Sequence, residues 1–179
     1  MLALRRALLA LFVLGVVFAG LFVAITVTSR HEPHKAPVAI LGVLIGLSFV
    51  GVGVFAWWRR PLNRFGVLMT AVGFAWFLAG LIESNSSAIY TIGAYVGPLY
   101  VVLVAHMVLS FPTGRLETTR QRAIIVAGYL AVLAVRLPYF LLGGDVTSGL
   151  EGARPDNLLG YGIIDALAAL RVLAPQRLP

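Results

Sequence analysis

The chain has 179 residues, 60% of them hydrophobic and 12% charged, with a mean hydropathy of +0.94 and a formal net charge of +7. This balance excludes a soluble core, which could not hide so much apolar surface, and implies an integral membrane protein whose backbone is satisfied within helices. The absence of cysteine excludes disulfides, thiolate catalysis and zinc-thiolate sites, and basic residues clustered between apolar runs argue against a nucleic-acid-binding face.

Arg5 and Arg6 precede an uncharged apolar run over 7–28 that is too long for a secretory signal and has no small-x-small cleavage site near Arg30. It reads as an uncleaved first span. The next turn, SRHEPHKAP over 29–37, carries two prolines and mixed charge and makes a short hairpin. His31 and His34 flank Glu32, but a metal site needs more ligands at set geometry and Pro33 separates the imidazoles, so no metal is assigned.

The second span, 38–58, contains Gly42 and Gly46 as a GxxxG pair, followed by Gly51 and Gly53, a pattern that lets helices approach closely. Trp57 and Trp58 mark the boundary between lipid and water. Arg59, Arg60 and Arg64 then crowd a basic turn around Pro61. The third span, 65–82, is closed by Glu83, which is read first as a boundary residue and second as a sensing carboxylate.

After a polar turn at 84–88 comes a fourth span over 89–111, interrupted by Gly97 and Pro98. The residues after Pro98 are too few to cross about 30 Å alone, so the span must include those before Gly97 and kink there. His106 is the only ionisable group well inside spans one to four. It reads as a neutral imidazole bonded to a neighbouring helix or to backbone, or as a proton relay or ligand contact with Glu83 as a distant partner.

The stretch FPTGRLETTRQR over 111–122 is the longest polar break between apolar spans. Phe111 and Pro112 end the helix, Gly114 permits a tight turn, and Arg115, Arg120 and Arg122 are opposed only by Glu117. A fifth span follows over 123–142, with Arg136 and Pro138 in its last third. An outer loop over 143–157 leads to a sixth apolar stretch, 158–174, where Asp165 costs about 3 kcal/mol against roughly 4 gained from aliphatic residues. That stretch is a sixth helix, an interfacial helix or an incomplete element. The expected fold is therefore all-α: a polytopic helical membrane protein with five transmembrane helices in 1–142 and a candidate sixth in 143–179.

With a cytoplasmic amino terminus, the inner side holds Arg5, Arg6, Arg59, Arg60, Arg64, Arg115, Arg120 and Arg122, against Arg30, Lys35 and Arg154 outside. The excess of inner basic residues sets this orientation. The arginine-rich turns serve topology first, with anionic lipid headgroups or a cytoplasmic partner as the further contacts open to them. No P-loop, GxSxG, HExxH or plausible pair of catalytic carboxylates is present, and no cofactor is assigned.

Two motifs carry a resemblance. RRPLNRFGVLM (59–69), followed by LSFPTGRL (109–116) with Arg120 and Arg122, resembles the amino-terminal membrane region of actinobacterial sensor histidine kinases. In that family a basic turn follows the second span and an FPxGRL turn follows the fourth, here Phe111, Pro112, Gly114, Arg115 and Leu116. PDNLL (155–159) matches an outer-loop segment of the family, without the cysteines that often precede its proline. The resemblance implies a sensory module in the cell membrane feeding a dimeric cytoplasmic kinase that signals to a response regulator.

The family continues into a dimerisation domain and an ATP-binding domain, whereas this sequence stops at Pro179 with neither, so a truncated gene without enzymatic activity of its own is expected. The tail GYGIIDALAAL (160–170) is similar to the closing helix of subtilisin-type proteases, but none of their catalytic motifs accompanies it. The alternative function is a stand-alone transport or assembly subunit, for which paired broken helices and midplane polar groups would be the signature.

Overall fold

The computed structural model describes residues 2–142, and every regular element among them is helical. Helix α1 spans Leu2–Thr28 and α2 spans Lys35–Arg59. Helix α3, Phe65–Ala79, continues into a 3-10 turn, Gly80–Glu83. Helices α4 (Ser87–Val96) and α5 (Leu99–Leu109) follow, and then α6 (Thr119–Leu142).

The boundaries differ from the sequence expectation for local reasons. Helix α1 takes in Arg5 and Arg6, since arginine is a good helix former. Helix α2 starts two residues before Pro37, which sits in the first turn, where a missing N–H leaves no carbonyl unpaired. The third span tightens into the 3-10 turn rather than running as α-helix to 82, and the Ser84 N–H closes it on the Leu81 carbonyl at 3.0 Å. The fourth span is two helices, α4 and α5, parted at Gly97 and Pro98.

Helix α6 begins four residues before the expected 123 because Thr118 and Gln121 cap it reciprocally. The Thr118 N–H donates to Gln121 Oε1 at 3.1 Å and the Gln121 N–H donates to Thr118 Oγ1 at 3.2 Å, the capping-box arrangement.

Among the described residues, four segments are long and apolar enough to cross a membrane: Leu4–Thr28, Lys35–Arg59, Phe65–Glu83 and Ser87–Leu109. Helix α6 covers the expected fifth span and is not one of these four. Large aliphatic side chains point outward along the bundle, among them Leu9, Val13, Leu41 and Leu44, each more than half exposed. In water this surface would be strongly unfavourable, whereas lipid accepts it. The expected outer loop and sixth stretch lie outside the described residues.

The core forms where α1, α2 and α3 meet, around Ala19, Phe22, Val50 and Phe77. Glycines let the backbones close in. The ring of Phe22 lies over Gly42 and Gly80 and that of Phe77 over Gly46, so both halves of the GxxxG pair receive an aromatic knob. Lower down, a Cβ on Gly53 would meet the Thr70 N–H group at 2.5 Å, and one on Gly66 would meet Trp57 N at 2.5 Å. The α2–α3 seam is thus backbone against backbone at this level. Trp76 ties it further by donating Nε1–H to the Gly42 carbonyl at 3.0 Å. All of this packing lies within one compact unit, residues 1–137.

Candidate functional site

The connecting turns meet at two places in the bundle. At one end the turn after α2 meets the turn after α5. Asn63 Nδ2–H donates to the Pro112 carbonyl at 3.0 Å, and Asn63 Oδ1 accepts the Phe65 N–H at 2.8 Å. Gly114, at φ +72°, presses against Phe65 N and the Arg64 backbone with no room for a Cβ. Phe65 and Phe111 meet edge to face at 5.4 Å. The two stretches that carry the family resemblance are therefore one joint in space.

The joint sorts the arginines. Arg64, Arg115 and Arg122 line a groove of about 740 Å3 together with Val67, Leu68 and His106. A smaller hollow of about 600 Å3 shares Arg115 and Arg122 and includes Glu117. Arg59, Arg60 and Arg120 line neither, and Arg59 instead stands over the Phe55 ring at 5.8 Å. Arg122 is held by a bond from its Nε–H to the Leu116 carbonyl at 3.2 Å.

His106 stands in the last turn of α5 rather than mid-span, and its Nδ1 lies 3.4 Å from the Tyr129 hydroxyl of α6. It lines the arginine groove, whereas Glu83 follows the far end of α3, so the two do not meet. His106 thus contacts Tyr129 of the neighbouring helix and not Glu83.

At the opposite end Glu83 joins a polar cluster. Its Oε2 lies 3.6 Å from His31 Nε2 and accepts from Ser29 Oγ at 3.4 Å. His31 Nε2 is also 3.0 Å from the Ile82 carbonyl. Asn85 bridges the hairpin: its Oδ1 accepts the Arg30 N–H at 2.9 Å and its Nδ2–H donates to the Thr28 carbonyl at 2.7 Å. One turn before Ser29, Thr26 is fully buried and its Oγ1 has no hydrogen-bond partner. His34 turns instead to Glu32, at 4.0 Å, so the two histidines do not share a ligand. Among the described residues no group of three or more His, Cys, Asp or Glu is placed to hold a metal ion.

Sequence reasoning missed Asn63, Asn85 and the Thr118–Gln121 pair. The last had a legible signal, a threonine three residues before a glutamine ahead of an apolar run. The bonds from Asn63 to Pro112 and from Asn85 to Thr28 had none, because those partners are remote in sequence. No family model matches the chain, and no curated protein or solved structure matches it.

Proposed function

We propose that the chain is the membrane-embedded sensory input module of a signalling protein of the sensor histidine kinase type. On this reading α6 is a fifth transmembrane helix and the amino terminus is cytoplasmic. The observation that carries the reading is the joint between the two motif-bearing turns, Asn63 on Pro112 and Gly114 on Phe65. The Glu83 cluster lies at the other end of α3, so that helix with its 3-10 turn links a polar end to a basic end. A signal that repacks the polar end would bias a two-state arrangement of the helices and reach the basic turns as movement of α3. Phosphotransfer and a response regulator belong to a kinase core, and a homodimer through the apolar helix faces would present two such modules to it.

The test is transmission. Spin labels on cysteines at Leu62 and Thr118 report the basic end of the full chain in vesicles. Replacing Glu83 by Gln is expected to shift the distance distribution between two populations. A single distribution that ignores the far end sinks the sensory reading. The broken helix at Gly97 and Pro98 and the groove-lining His106 favour a second reading, a transport subunit. Solute uptake by reconstituted vesicles that is lost on His106→Ala would select it.

A further inference from the structure

The two basic turns bring six arginines to one end of the bundle, and the fold turns only three of them into a common space. Arg64, Arg115 and Arg122 face the same groove across two turns and the start of α6. What holds them there is uncharged: the Gly114 backbone on Phe65, the Asn63 bond and the Leu116 carbonyl on Arg122. The ion pairs among the described residues are those of His31 with Glu83 and His34 with Glu32, so none of the three guanidiniums is neutralised by a carboxylate. Glu117 lines the neighbouring hollow and not this groove. Three like charges gathered by uncharged contacts repel one another, and an anion between them removes that repulsion.

The groove also has an apolar wall. Val67 and Leu68 of α3 and Leu116 line it together with the arginines, and Val108 and Phe111 lie exposed on the adjoining stretch of chain. A free anion would use only the cationic rim, whereas a phospholipid would place its phosphate on the rim and an acyl chain on the wall. Guanidinium groups match phosphate oxygens in paired hydrogen bonds. We propose that Arg64, Arg115 and Arg122 form a binding site for the phosphate group of an anionic phospholipid, with an acyl chain laid along Val67 and Leu68.

The experiment is calorimetric titration of the full chain, in uncharged detergent, with phosphatidylglycerol, phosphatidylcholine and inorganic phosphate. The triple variant R64Q/R115Q/R122Q is expected to bind phosphatidylglycerol at least about tenfold more weakly, while R59Q/R60Q/R120Q, which removes the same charge, changes affinity less than about threefold. Equal losses in the two triples would mean diffuse attraction and overturn the site. The milder Arg122→Lys keeps the charge but loses the planar fork and the Nε–H bond to Leu116, and is expected to weaken binding by about threefold to tenfold. Unchanged affinity in that variant also counts against the proposal. Phosphatidylcholine is expected to show no saturable binding, and parity with phosphatidylglycerol would refute the need for an anion. Inorganic phosphate bound as tightly as the lipid would refute the lipid as ligand.

Discussion

Asn63 and Pro112, forty-nine positions apart, are joined through one side chain that donates to the proline carbonyl and accepts from Phe65 N–H. Asn63→Ala removes both bonds and is expected to lower stability by about 1–3 kcal/mol, at about 0.5–1.5 per bond. Asn63→Asp keeps the acceptor and should lose less. Denaturant unfolding of the two variants in detergent measures the difference, and an alanine variant as stable as the parent removes the joint from the account.

Gly114 is the position in the joint that admits no other residue. Its φ of +72° is unfavourable for an L side chain by roughly 1–2 kcal/mol, and a Cβ would also strike the Phe65 and Arg64 backbone. Gly114→Ala is therefore expected to destabilise by more than that. Gly20, whose Cβ would meet nothing within 4 Å, is the control, and Gly20→Ala should be neutral or stabilising by up to about 1 kcal/mol. Similar melting temperatures for the two variants would contradict the geometry.

Thr26 offers a stabilising change. Its hydroxyl is buried and unpaired, and valine has nearly the same shape without the polar atom. Removing an unsatisfied buried hydroxyl is expected to raise stability by about 1 kcal/mol. A lower melting temperature for Thr26→Val would show that the hydroxyl has a partner in solution.

At the same end, Asn85 should matter more than Glu83. Asn85→Ala loses two hydrogen bonds between hairpins, about 1–3 kcal/mol in all. Glu83→Gln keeps an acceptor for Ser29 and loses only a partly exposed contact with His31, within about 0.5 kcal/mol. The reverse ranking in thermal unfolding would mean that the carboxylate holds the hairpins together.

Orientation has a direct check in a chain without native cysteine. Cysteines placed at Thr118 and Ser86, both exposed, should label from opposite sides of the membrane, with Ser86 reached by an impermeant reagent from outside. The inverse pattern overturns the cytoplasmic amino terminus.

The sequence by itself determined that this chain is helical and apolar enough for a membrane, and it placed the breaks at Pro33, Pro61, Gly97 with Pro98, and Phe111 with Pro112 within a few residues. Those features are local: a missing N–H, a run of aliphatic side chains and a glycine turn each act on their own neighbours in sequence. It also named every arginine of the two basic turns. Only the tertiary structure decided that Arg64, Arg115 and Arg122 share a groove while Arg59, Arg60 and Arg120 do not, that His106 turns to Tyr129, and that Glu83 belongs with Ser29 and His31. Those choices follow from the α2–α3 glycine seam and from Asn63 and Gly114, whose partners are brought near by packing rather than by sequence.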